Sequence, residues 1–296
     1  MLRLAKAQVY VLFKGRTFKV LCVISILLGL ILIGGAKLAS SEELIRSSLK
    51  GMSTEQQDEY IKTLKESADG SNSIISQGSG GGFRIKSKDI FNPTAKEIFY
   101  SSFGVDAMEI IMSVLVAAMV ASEYSSGTIK NVLSYGKKRE QYYIAKLLSC
   151  TFGFTIILGI IVSVSTIGSG IIFGWGESFT INEALGMLKV FLGAIVVGMG
   201  TTSVLMLAAT LVKNNGSTIA IGIVGMSIIP LAITFLYGKF NWFDKIYEVT
   251  LAYNWKLVTF VNASDSQILK AAGVGFITAV IATVLGMTAL KKQDVK

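Results

Sequence analysis

Side chains able to do chemistry are few in this chain, and they fall in two places. The first is a carboxylate pair, Asp106 and Glu109, followed by Ser113 at the next turn. Residues three or four apart share a helix face, and this face borders a long apolar run. Carboxylates in such a run are expensive and usually face protein or water. They would suit an acidic lining near the mouth of a path for a cationic cargo, or simply the headgroup zone at a span's end. The second place is residues 122–146, a polar island with five Lys or Arg among 25 residues, between two long apolar segments. There Glu123 closes the preceding apolar run, Gly127 and Thr128 open a short amphipathic stretch, and Gly136 to Arg139 leads into the next run. Lys137, Lys138 and Arg139 cluster toward the far end of this island.

Covalent chemistry has little to work with. The chain has no histidine, which removes His-ligated metals and His-based proton relays. Its two cysteines, Cys22 and Cys150, lie inside apolar runs and predict no disulfide framework. A phosphate-binding Walker loop needs Gly, four residues, then Gly-Lys-Ser/Thr. In the basic loop Gly136-Lys137 is followed by Lys138, and Asn131 stands where the first glycine should be. No catalytic, cofactor-binding or metal-binding residue is expected.

The elements that must position these residues are membrane helices. Hydrophobic residues make up 52% of the chain and charged ones 16%, which is high and low for a soluble domain. A span needs about 20 apolar residues, and six runs qualify: about Phe18–Ala39, Val105–Ala121, Leu147–Phe173, Met187–Val212, Thr218–Tyr237 and Ile268–Leu290. Asn92-Pro93 reads as a cap and first-turn proline, from which the second helix would begin well before its apolar part. Pro230 predicts a kink in the fifth span. Gly170 and Gly174 show one small-residue spacing of the helix-packing kind. Thr201, Thr202, Ser203 and Thr210, with Ser217, Thr218, Ser227 and Thr234 in the next span, are expected to bond to their own or neighbouring helices.

Charge sets the orientation. With both termini inside, the inner parts hold 14 cations and 3 acids, and the remainder 14 cations and 16 acids, giving the net +9. That obeys the positive-inside rule at a multi-pass cell membrane, so the basic balance calls for no nucleic acid. Residues 1–17 read as an amphipathic helix on the inner membrane surface. Leu2, Ala5, Val9, Leu12 and Phe13 fall on one face, with Arg3, Lys6 and Lys14 on another. The run that follows is too long for a cleavable signal. Residues 18–290 form the transmembrane domain and 291–296 an inner tail. Residues 40–104 form a long outer loop with a helical part, Glu42 to Ser67, and a glycine-rich hinge, Gly78 to Gly82. Residues 238–267 are an aromatic outer segment in which Trp242, Phe243 and Trp255 suit the membrane–water interface.

This layout resembles the ABC-2-type permeases, the membrane subunits of a class of ATP-driven exporters. The most specific stretch is Glu123 through Lys146. The resemblance implies an all-α integral membrane protein of six transmembrane helices. Residues 1–17 would be an interfacial elbow helix. Residues 122–146 would be the cytoplasmic coupling loop, with Thr128 to Leu133 as the coupling helix. Residues 238–267 would be a re-entrant outer loop. Carried over by position, Glu123 anchors the inner end of the second span and Gly127 permits the turn. Thr128, Ile129, Lys130, Asn131 and Leu133 would face a separate ATPase, and Lys137, Lys138 and Arg139 would hold its acidic groups or lipid phosphates. Asp106, Glu109, Ser113, Trp242, Phe243 and Trp255 would line the path or its gate. ATP and Mg would be bound by partner ATPase subunits, and a second permease, identical or related, would complete the path. The cargo expected is an amphipathic peptide or hydrophobic drug. Two other classes remain open on sequence: a membrane scaffold or sensor that moves nothing, and a gradient-driven secondary transporter. The latter would more naturally show inverted repeats and charges at mid-membrane.

Overall fold

The structure is a computed structural model. It describes residues 2–68, 73–76, 84–87, 89, 91–104, 107–129, 138–176, 179–260 and 263–293. Six helices are long and apolar enough to cross a membrane: Arg16–Ala39, Ala107–Ser125, Arg139–Phe173, Ile181–Val212, Asn215–Thr234 and Asp265–Lys292. They are the first to sixth spans below. Each matches an apolar run of the sequence. The third begins eight residues before the expected Leu147, because Arg139 to Lys146 is helical although polar. The described residues are helical apart from one short ladder, in which β1 (Ser73–Ser76) pairs antiparallel with β2 (Arg84–Ser87). This ladder lies in the loop between the first and second spans and leaves the all-α class of the fold unchanged. The Gly78–Gly82 stretch between its strands lies outside the described residues.

The chain divides into two compact units. One comprises Met1–Cys22, Ala107–Ile157 and Leu185–Lys296. It starts with a helix, Leu2–Lys14, whose buried line is Gln8 and Leu12, one turn apart. Leu12 packs on Gly153, where an added Cβ would stand 3.1 Å from a Leu12 methyl, so a larger residue there requires Leu12 to shift. Phe13, expected on the apolar face, is half exposed and packs edge-on against Phe18 and Phe152. The fourth and sixth spans cross at glycines: a side chain on Gly275 would start 2.7 Å from the Val197 Cα. Such backbone contact is how helices gain packing without a hydrophobic drive between them.

Two spans of this unit are interrupted by π-turns, Ala117–Ala121 in the second and Val224–Ile228 in the fifth. The latter accounts for Pro230, which sits in the first turn after it. A proline crowds the carbonyl four residues earlier and offers it no N–H. A wider turn gives that carbonyl room. Between the fifth and sixth spans stand two short helices, Asn241–Tyr247 and Leu251–Val258. Thr250 caps the second through the Tyr253 N–H. Ser264 and Gln267 form a capping box that starts the sixth span.

The other unit comprises Val23–Asp106 and Leu158–Ala184. Its helices Glu42–Ser48 and Thr54–Ala68 are clipped together by Arg46, which pairs with Glu42 at 2.9 Å and Asp58 at 2.7 Å. Helix Ala95–Ser102 starts at a Thr94–Glu97 capping box, two residues beyond the expected Asn92 cap, and ends before the second span begins. Its Ala95 N–H donates to the Gly174 carbonyl at 3.1 Å, and Lys96 pairs with Glu183 at 2.6 Å. Gly174 has φ +78 just past the last residue of the third span. It terminates that helix, as left-handed glycines do, so the Gly170–Gly174 spacing is a helix end and not a packing stripe. Gly168, two residues before Gly170, is the glycine on which another helix sits, through Ile33.

Candidate functional site

The end of the second span is built around one carboxylate. Glu123 accepts from Lys146 Nζ at 2.7 Å through one oxygen and from the Tyr142 hydroxyl through the other. The Lys146 side chain is 1% exposed, and its ammonium stands 5.9 Å over the Tyr142 ring. A buried ammonium is tolerable only when its charge and hydrogen bonds are met. Here a carboxylate and an aromatic face meet them. Lys146 and Tyr142 lie one turn apart on the third span, so the pair ties the second span to the third. Sequence reading gave Glu123 its anchoring place and missed its partners. Their i, i+4 spacing just inside the third span was the available signal.

Past Glu123 the helix stops at a turn. The Gly127 N–H donates to the Tyr124 carbonyl at 3.2 Å, and Gly127 has φ +72. A side chain there would meet no neighbour but would be held in the left-handed region. Thr128 and Ile129 are helical again. Thr128 is exposed, and Ile129 is buried as the anchor of the new turn. Lys130, Asn131, Leu133 and Lys137 lie outside the described residues. Lys138 is exposed. Arg139 opens the third span, and its guanidinium donates to carbonyls of the sixth span's end, at Leu290 (2.8 Å), Lys291 (2.9 Å) and Gln293 (3.1 Å).

The candidate path residues are not all in one place. Asp106 lies outside the described residues. The Glu109 carboxylate accepts from the Ser227 hydroxyl, which sits in the π-turn of the fifth span. Ser113 is fully buried; it donates to the Glu109 carbonyl at 2.7 Å, and Gly222 of the fifth span lies directly against it. These residues therefore join the second span to the fifth. Trp242 and Phe243 pack on one another with ring centroids 5.8 Å apart, Trp242 being largely exposed. Trp255 instead packs on Phe154 of the third span at 6.2 Å. Tyr237, Tyr247 and Tyr253 form a cluster with centroids 5.3 to 6.0 Å apart. Among the described residues, no group of three or more His, Cys, Asp or Glu is placed to hold a metal.

Most span hydroxyls bond back to their own helix, as Thr201, Ser203, Thr210 and Thr218 do. Ser227 is different, since it reaches another span. Six apolar helices, two of them joined through a buried ion pair beside a basic interruption, define a multi-pass membrane protein. A family model described as ABC-2 family transporter protein matches residues 85–241, which is more than half of the chain. The chain belongs to that family and is a permease subunit of an ABC transporter, a membrane component that works with ABC ATPase subunits. The match takes in the second to fifth spans and the whole of residues 122–146. No curated protein matches the chain.

Proposed function

We propose that this subunit exports an amphipathic peptide or hydrophobic drug-like cargo across the plasma membrane, using ATP hydrolysed with Mg by a separate nucleotide-binding subunit. Both termini are cytoplasmic, and two permeases, identical or related, enclose the path. Residues 122–146 are the cytoplasmic coupling loop. The observation that carries this reading is the joint at Glu123: a basic, glycine-turned loop whose two flanking spans are locked by a buried ion pair. A partner that pushes on such a loop moves both helices at once. Thr128 and Lys138 stand exposed for that partner on either side of the turn and the start of the third span.

The amphipathic helix Leu2–Lys14 serves as the elbow helix, and the two short helices between Asn241 and Val258 serve as the re-entrant outer element. Glu109, Ser113 and the aromatic residues Trp242, Phe243 and Trp255 belong to the outer half of the path. Switching access then means parting the second and fifth spans, which among the described residues meet at the Glu109–Ser227 bond and where Ser113 packs on Gly222. The test is purification from native membranes in mild detergent, followed by ATP-dependent flux in vesicles. A stoichiometric soluble partner with a Walker motif, and flux that stops without ATP, are the expected results. An intact membrane protein with no such partner would return the chain to the scaffold or gradient-driven readings.

A further inference from the structure

The basic loop is tied to the chain's last span as well as to the second. Arg139 Nη1 meets three backbone carbonyls at the end of the sixth span, at 2.8, 2.9 and 3.1 Å. A helix leaves its last four carbonyls without intrahelical partners, and that end carries partial negative charge. One guanidinium therefore satisfies the acceptors and balances the dipole together. Two further links lie beside it. Lys291 pairs with Glu140, and the Gln293 side-chain amide donates to the Thr210 carbonyl of the fourth span at 3.0 Å. One turn further in, Gly286 lies directly against the Tyr143 hydroxyl, and any side chain there would displace the ring. The acceptors are backbone atoms of a helix end, so they shift only if that end shifts.

We propose that Arg139 is a positioning residue that makes the inner end of the sixth span follow the third when residues 122–138 are displaced. This rests on the reading of that segment as the coupling loop. Without the clasp, a push on the loop enters the second and third spans only. With it, the push reaches the sixth span and, through Gln293, the fourth. The Glu140–Lys291 pair is about half exposed on both sides and adds little to the hold. Arg139 is the strong element.

The experiment uses the full chain with its co-purified ATPase in phospholipid vesicles. Spin labels go on Lys138→Cys and Lys292→Cys, both exposed positions, in a Cys22→Ser, Cys150→Ala background. Label distances are compared without nucleotide and after trapping with ATP and vanadate. The expected result is one narrow distance, the same in both states. Arg139→Ala should broaden it, make it change with nucleotide, and speed amide exchange at residues 290–293 about tenfold. Arg139→Lys should restore most of the wild-type behaviour, because an ammonium still reaches the carbonyls, and Glu140→Gln should leave the distance unchanged. A wild-type distance that changes with nucleotide overturns the proposal, as does an Arg139→Ala distance that stays fixed in both states. Either result leaves the permease reading standing, provided the ATPase is present. If no ATPase co-purifies, the reading and this inference fall together.

Discussion

The second span carries a carboxylate toward each end, and the two are held in different ways. Glu123 meets a buried ammonium and a phenol hydroxyl, both from the third span. Glu109 meets the hydroxyl of Ser227, from the fifth. An ionised donor makes a hydrogen bond roughly twice as strong as a neutral one. Burial raises the cost of breaking the Glu123 joint, because separation strands a charge. Separating Glu109 from Ser227 breaks a bond to a neutral hydroxyl and strands no ammonium. The fifth span is also the least buried of the six among the described residues, and a π-turn lies at its Ser227 contact. The loop end is thus held by a charged joint, and the opposite half of the same helix by a neutral bond and by close packing of Ser113 on Gly222.

The largest effect expected comes from breaking the strong end. Lys146→Ala leaves Glu123, 17% exposed, without its cation and should cost up to about 3–5 kcal/mol, read as a lowered thermal midpoint in detergent. The double variant Glu123→Leu, Lys146→Met should recover most of that stability, since an apolar pair of similar volume replaces the ions. Its ATP-dependent flux should remain low. Full recovery of flux would show that the ion pair does no more than hold the helices.

Gly127→Val comes next. It places a β-branched residue at φ +72, at a cost of about 1–2 kcal/mol. Because no neighbour crowds the position, the variant should insert and keep its partner while ATP turnover and flux separate. Normal coupling would remove the role assigned to this turn. At the weak end, Ser227→Ala removes one hydrogen bond and should cost about 1 kcal/mol, with ATPase co-purification unchanged. A loss as large as that of Lys146→Ala would erase the contrast between the two ends. Glu140→Gln should be the smallest, within about 0.5 kcal/mol, as for other exposed pairs.

How much of this was legible in the sequence depended on range. The six spans were readable because about 20 apolar residues in a row admit few other structures. The start of the third span was misplaced because hydropathy discounts Arg139, Glu140, Gln141 and Lys146. Arg139, Glu140 and Lys146 find partners on other spans, and a spacing such as Tyr142–Lys146 shows a shared face without naming the residue it meets. For the same reason Glu123 was placed by sequence while Tyr142 and Lys146 were not. Pro230 was expected to kink the fifth span; what stands beside it is a π-turn in a continuous helix, a form that depends on how the surrounding turns relax. Arg139 was read with Lys137 and Lys138 as one basic run facing outward. Its guanidinium is turned to the sixth span's end instead, about 150 residues away in sequence, a distance no local pattern spans. Ser227 looked like any other helical hydroxyl, and only the fold shows that it reaches Glu109.

The loop end, and not the opposite end, is proposed to receive the ATPase. A photo-crosslinking side chain placed at Thr128, and in a separate variant at Trp242, would be activated in native membranes. Both positions are exposed, and they lie at opposite ends of the spans. The account predicts that Thr128 captures a nucleotide-binding subunit and Trp242 does not. Capture from Trp242 alone would contradict both the orientation and the role of residues 122–146, and no capture from Thr128 in an intact, ATP-responsive complex would contradict the role of the loop.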